Sequence, residues 1–297
     1  MRWSVAVVGP GGVGGLLGAL LTRAGHRVLF VARPDTAATL NEAGLSVRSA
    51  QFGDFQVPAT ALPRLPGPVD VCVVAVKAAS LPDALAGVPP EALGDGLMLP
   101  LLNGVEHMAT LRARYPATQV VAGTIRVEST RVAVGRIEHT TPFSWTDIAS
   151  GTTPRDRVEA LAGQLRGAGL DVTVRDDETT MLWHKLAFLA PLALLTTHAG
   201  MPAGAMREQR RADLEAMVAE VVAVAGAAGA QVDGAAILAM FNGAPAGLKS
   251  SMQRDAEAGR TTELDAIGGA VLRAATRYGI DTPVTARLVK DLRARLR

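Results

Sequence analysis

Cysteine is almost missing from this chain. Cys72 stands alone among 297 residues, which excludes an internal disulfide and fits a reducing cytoplasm. Its neighbours Val71, Val73 and Val74 mark a buried strand position rather than a nucleophile. Aromatic side chains make up only 4%, too few for the stacking platforms of single-strand nucleic-acid binders. An excess of charge is lacking too: 30 basic residues face 28 acidic ones, and the basic ones are scattered, so no nucleic-acid footprint is expected. No apolar run is long and unbroken enough to span a membrane. Residues 4–21 carry no charge but hold six glycines, which argues against a targeting helix, and 24–27 is a poor cleavage region. The apolar run after Lys185 is short and interrupted by Pro191. No metal site is expected. Lysine is scarce as well: of the 30 basic residues only Lys77, Lys185, Lys249 and Lys290 are lysines. Arginine cannot give up a proton in a protein, whereas lysine can, so each of the four is a candidate for chemistry.

What the chain does have is glycine in a telling place. The Val-rich stretch 4–8 reads as a strand and breaks into Gly9-Pro10-Gly11-Gly12-Val13-Gly14, then into a run of helical composition. Gly9, Gly11 and Gly14 stand in the spacing G-x-G-x-x-G. The first glycine permits a tight turn, the second lets the backbone approach a pyrophosphate, and the third lets helix and strand pack closely; the helix start offers N–H groups to the phosphates. A second Val-rich strand over 27–31 completes a βαβ unit. About 20 residues beyond the glycines an acidic residue would hold the ribose 2′-hydroxyl of NAD. Here Arg33 stands at that point, which suits a 2′-phosphate and favours NADP, with Asp35 close enough to keep NAD open. A solvated loop arginine is the plain alternative.

The fold class expected is α/β: an N-terminal Rossmann-type doubly wound sheet over 1–176, followed by an all-α domain over 177–297. Helix is expected over 36–43 and short strands over 45–57. A buried strand over 69–76 ends in Lys77, and another over 97–102 ends in Asn103-Gly104. Strand C-termini of a doubly wound sheet line the ligand crevice, so Lys77 and Asn103 are placed to meet a ribose or a substrate carboxylate, although both also suit ordinary turns. Residues 131–140 and 143–149 read as more exposed, antiparallel strands; 155–168 has helical spacing and 170–174 is a last strand. From Glu178 onward helical periodicity takes over. Lys185 opens an almost uncharged stretch, and a buried lysine loses proton affinity, as a proton donor near neutral pH requires. Composition alone favours the alternative, a lysine whose ammonium reaches solvent. Glu263 falls at the start of a long helix through Tyr278, where a carboxylate is favourable without any catalytic duty.

Over essentially its full length the chain resembles the ketopantoate reductase (2-dehydropantoate 2-reductase) family. The resemblance is carried by Gly9 to Gly14, Ala32-Arg33, Val76-Lys77, Asn103-Gly104, Leu182-Trp183-His184-Lys185, Ser250-Ser251-Met252-Gln253-Arg254-Asp255 and Arg260-Thr261-Thr262-Glu263-Leu264-Asp265. It implies an NADPH-dependent oxidoreductase, a cytoplasmic homodimer acting on a small 2-oxo acid, with its site between a Rossmann domain and a helical one. It implies that Lys185 is the proton donor to the carbonyl oxygen and that Glu263 contacts the cofactor or orients the lysine. Ser251 would hydrogen-bond substrate, Lys77 and Asn103 would make nicotinamide-side and substrate contacts, and Arg33 would hold the 2′-phosphate. The chain also departs from the family. Leu189, Ala193 and Leu248 stand where well-known members have asparagines that help hold the hydroxyl and carboxylate of ketopantoate. The reaction therefore transfers better than the substrate does. Two further readings remain: a genuine 2-dehydropantoate 2-reductase of pantothenate synthesis, and a non-catalytic NADPH sensor, which would need neither Lys185 nor Glu263.

Overall fold

The computed structural model describes residues 2–296. They form two compact units, residues 2–102 with 107–178, and residues 103–106 with 179–296. Nothing near 175–177 in the sequence marks the detour of residues 103–106 into the second unit.

The first unit carries twelve strands: β1 (Ser4–Val8), β2 (Arg27–Val31), β3 (Leu45–Ser49), β4 (Phe55–Val57), β5 (Thr60–Leu62), β6 (Val71–Val74), β7 (Leu97–Pro100), β8 (Ala122–Arg126), β9 (Ser129–Ala133), β10 (Arg136–His139), β11 (Trp145–Ala149) and β12 (Asp171–Val174). Its helices are α1 (Gly12–Arg23), α2 (Pro34–Ala43), α3 (Leu81–Ala86), α4 (Pro90–Leu93), α5 (His107–Arg112) and α6 (Arg155–Gly167). The central sheet is all parallel in the order β5-β2-β1-β6-β7, the doubly wound arrangement expected. β1 lies between β2 and β6, and Val5 to Val8 are at most 2% exposed, which is why the strand is apolar at every position rather than at alternate ones. Cys72 is fully buried on β6 and burial pushes its thiol up to about 12, so it is an inert core residue, as its neighbours foretold. Strand order reverses between β1 and β6. That switch point is where open α/β sheets bind ligands, beyond the strand C-termini.

Two smaller sheets complete the unit, β4-β3-β10-β9 and β12-β11-β8. Here the expectations need correction. Residues 131–140 are not one strand but a hairpin, β9 antiparallel to β10, broken at Gly135. Gly135 has φ +73, a conformation that suits only glycine, and its carbonyl accepts from Ser46 N at 2.8 Å. β9 is exposed as expected, but β11 is not: Thr146 to Ala149 are buried, because β8 and β12 flank it on both edges.

The second unit is helical: α7 (Glu178–Ala199, whose first residue lies in the first unit), α8 (Ala203–Gln209), α9 (Arg211–Ala227), α10 (Gly234–Gly243), α11 (Ser251–Glu257), α12 (Ala270–Tyr278) and α13 (Pro283–Arg295). One π-helical turn, Asp265–Gly269, leads into α12. The core packs Trp183, Leu186, Ala190 and Leu194 of α7 with Leu214, Met217, Val221 and Val224 of α9, all at most 5% exposed. Since α13 begins at a proline, its remaining free N–H groups need an acceptor. Glu220 of α9 supplies it, taking Val284 N at 2.7 Å, Thr285 N at 2.9 Å and the Thr285 hydroxyl at 2.6 Å. Among the described residues no single helix is long and apolar enough to cross a membrane.

Candidate active site

Each unit contributes a cluster of the residues singled out from the sequence. In the first unit, β1 ends at Val8 and Gly9 turns the chain with φ +85. The backbone closes on itself there, with Gly11 N on Gly9 O at 2.7 Å and Gly15 N on Gly11 O at 2.8 Å. Three glycines are explained by what surrounds them. A Cβ at Gly9 would lie 2.5 Å from Val76 Cγ1, one at Gly12 would lie 2.0 Å from the Ser129 carbonyl, and one at Gly14 would lie 2.2 Å from the Gly9 carbonyl. Ser129 adds a bond of its own, its hydroxyl donating to Gly12 O at 2.8 Å. Pro10 is buried and Val13 packs against the core.

Gly11 is different. Its φ is an ordinary −83, and a Cβ built on it meets nothing within 4 Å. The protein has no steric need of glycine here, whereas a pyrophosphate approaching the backbone does. Gly11 is also the N-cap of α1 without offering a side-chain cap, and the first turn of α1 has no acidic residue, so its N–H groups are left for an anion. These residues fit a dinucleotide. Gly11→Ala is therefore expected to leave thermal stability nearly unchanged while dinucleotide binding is lost. Gly14→Ala should destabilise the fold itself by about 1–3 kcal/mol or more, as overpacking does. Melting curves beside NADPH fluorescence titrations distinguish the two; equal losses of stability would refute the distinction.

Arg33 caps α2 just past β2, with Pro34 as the first helical residue. Its side chain is exposed and makes no hydrogen bond or ion pair among the described residues. β6 stops at Val74, earlier than expected; Ala75 N still reaches Val8 O at 2.9 Å, and Ala75 and Val76 lie against Gly9. Lys77 follows directly, half-buried beside the glycine turn.

In the second unit Asn103 and Glu263, 160 residues apart in sequence, are hydrogen-bonded: Asn103 Nδ2 donates to Glu263 Oε2 at 2.7 Å. Gly104, at φ +85, would put a Cβ 2.4 Å from the Ala266 carbonyl, so the backbone touches the π-turn that follows Glu263. Arg273 of α12 holds Glu106 with Nε to Oε1 at 2.8 Å and Nη2 to Oε2 at 2.6 Å. The same guanidinium reaches Asp265 Oδ1 at 3.0 Å and the Asp265 carbonyl at 3.1 Å. Its hydrogen bond holds the Asp265 carboxyl below the usual carboxylate range, helped by Arg293, and Glu106 and Asp265 in turn raise the affinity of Arg273 for its proton.

Lys185 is half-buried on α7. Leu189, Leu192 and Thr196 follow it at i+4, i+7 and i+11, one face of the helix. At the far end of that face, Thr196 Oγ1 lies 3.2 Å from Ser250 Oγ, and Ser250 caps α11 by accepting from Gln253 N at 3.0 Å. Ser251 is the first residue of α11, exposed, its hydroxyl without a hydrogen bond among the described residues. Sequence reasoning missed Ser129, Thr196 and Arg273, each of which reaches a residue distant in the chain.

Known proteins share the sequence pattern and fold of this chain. Residues 5–152 match the family model of ketopantoate reductase PanE/ApbA, and residues 177–295 match the model of its C-terminal part. The chain is 30% identical over 304 residues to 2-dehydropantoate 2-reductase of Mycobacterium tuberculosis, covering 99% of this chain and 98% of the relative. The crystal structure of 2-dehydropantoate 2-reductase from Geobacter metallireducens superposes with TM-score 0.88 at 28% identity, covering 98% and 99% of the two chains. D-mandelate dehydrogenase, solved with NADH and anilino(oxo)acetate, gives TM-score 0.89 at 20% identity, covering 99% and 98%, a likeness of fold. The chain belongs to the ketopantoate reductase family. It is an oxidoreductase, a reductase of a 2-oxo acid.

Proposed function

We propose that the chain is an NADPH-dependent reductase of a 2-oxo acid more apolar than ketopantoate. In this reading residues 1–176 form the NADP-binding domain, 177–297 carry substrate and proton donor, and the enzyme works as a cytoplasmic homodimer. A bound nicotinamide supplies the hydride. The turn Gly9 to Gly14 binds the pyrophosphate through the first N–H groups of α1, and Arg33 pairs with the 2′-phosphate. Lys77 and Asn103 contact the nicotinamide side and the substrate. Lys185 gives the proton on Nζ to the carbonyl oxygen as it becomes a hydroxyl, and is reprotonated from solvent. Glu263, fixed by the Asn103 amide, orients cofactor or lysine, and the free Ser251 hydroxyl donates to substrate.

The observation that supports this most is the 2.7 Å bond between Asn103 and Glu263, which joins two residues 160 apart in sequence that the resemblance assigns to one site. The test is an NADPH-oxidation screen across 2-oxo acids that includes ketopantoate. A genuine 2-dehydropantoate 2-reductase is the second reading, supported by the full-length match to the Mycobacterium tuberculosis enzyme. The retention of Lys185 and Glu263 weighs against a non-catalytic sensor.

The cofactor preference has its own test. Arg33 lies exposed and unpaired where the ribose would sit, so NADPH should bind more tightly than NADH. Hydrogen bonds to charged groups are worth about 1.5–3 kcal/mol, so Arg33→Ala should narrow the ratio of the two dissociation constants roughly tenfold to a hundredfold. Equal affinities in the unmutated protein would make Asp35 the determinant instead.

A further inference from the structure

We infer that Arg273 is a positioning residue: it fastens the segment Asn103–Glu106 to the π-turn and thereby keeps the Asn103 amide on Glu263. This rests on the reading that places Asn103 and Glu263 in the active site. One guanidinium makes four hydrogen bonds, two to Glu106 and two to Asp265, one of the latter to the backbone. The two ends of the fork hold the two chain segments whose neighbours pair. Glu106 lies three residues after Asn103, and Asp265 lies two after Glu263. Between them Gly104 rests against Ala266. The contact is built for close fit, since a Cβ at Gly269 would lie 2.6 Å from Asp265 Oδ1 and 3.0 Å from Arg273 Nη1. Arg293 secures the same Asp265 oxygen from α13 at 3.1 Å.

Stability does not account for this investment in geometry. The Arg273 and Glu106 side chains are 46% and 48% exposed, and ion pairs so exposed contribute about 0–1 kcal/mol. What a bidentate guanidinium adds there is orientation. The π-turn is itself a device for shifting side-chain register within a helix, and such turns recur at functional sites. Without the fork, residues 103–106 keep their covalent anchors but lose the bonds that set the depth of the Asn103 amide. An error of about 1 Å in a positioning group can cost on the order of a hundredfold in rate.

The test is a kinetic cycle on the full-length enzyme, following NADPH oxidation with ketopantoate and 4-methyl-2-oxopentanoate as probes. Arg273→Ala should lower kcat roughly 10- to 100-fold with little change in melting temperature. In the Asn103→Ala background the same substitution should cost nothing more, because its effect runs through the amide. Arg273→Lys should not restore activity, since an ammonium cannot fork. Glu106→Gln, an isosteric change that weakens the fork from the other side, should reproduce the loss if Arg273→Ala folds poorly. Full activity in Arg273→Ala, or losses that multiply with Asn103→Ala, would overturn the inference. An Asn103→Ala variant with unchanged kcat would remove Asn103 from the site and take the inference with it.

Discussion

Lys185→Ala lowers kcat by about 10²- to 10⁴-fold, the range general acid catalysis spans, and leaves NADPH affinity almost untouched. That is the expected result if Lys185 donates the proton, because the lost interaction exists mainly in the transition state while the glycine turn and Arg33 still hold the cofactor. Lys185→Arg separates charge from proton donation. Arginine keeps the positive charge but cannot release a proton, so it should not rescue. Half-burial of Lys185 on α7 makes a control necessary, and melting temperatures of both variants supply it. Near-full activity in the arginine variant would leave Lys185 as an orienting charge and end the proposed mechanism.

The second large effect concerns substrate. Leu189 stands one turn after Lys185 on the same face of α7, and Leu248 lies three residues before Ser251. Both are partly buried and pack against the core of the helical unit. A carboxylate or hydroxyl brought beside these leucines loses its water without gaining a partner, a penalty of about 1–3 kcal/mol per group. Ketopantoate carries a hydroxyl that an apolar 2-oxo acid lacks, so it should be turned over poorly, and a bulkier or more apolar 2-oxo acid well. Leu189→Asn combined with Leu248→Asn should raise kcat/KM for ketopantoate roughly 10- to 100-fold and lower it for 4-methyl-2-oxopentanoate. Efficient reduction of ketopantoate by the unmutated enzyme, with nothing better in the screen, would show that these positions do not set specificity.

What could be read from the sequence was what is local. The strand, glycine turn and helix over residues 4–23 occupy one continuous stretch, so their period and breakpoints are written in order. Cys72 was legible as core for the same reason. The break of residues 131–140 into a hairpin was signalled by Gly135, a lone glycine inside a strand pattern, and the signal was passed over. α11 was missed although Ser250 is a good N-cap, because Ser250-Ser251 was read for its chemistry alone. The roles of Lys185, Glu263 and Ser251 came from family resemblance; helix composition alone favoured duller readings. Arg273 and Ser129 carried no local mark at all. Their partners Glu106 and Gly12 lie 167 and 117 residues away, and only the folded chain brings them into reach.

The glycines of α1 have a consequence for the route by which the chain folds. Gly12, Gly14, Gly15 and Gly18 all lie within the helix, and each costs roughly 0.8–1 kcal/mol of helical propensity relative to alanine. Alone, the segment would be coil. It becomes a helix because its bare backbone can nest against neighbours that must already be present: Ser129 of β9 at Gly12, Ile137 of β10 at Gly15, and the Phe30 ring of β2 at Gly18. The helix is therefore expected to settle only once the β9–β10 hairpin, more than a hundred residues downstream, is in place. On a ribosome, the N-terminal segment that emerges first is then expected to be among the last to settle.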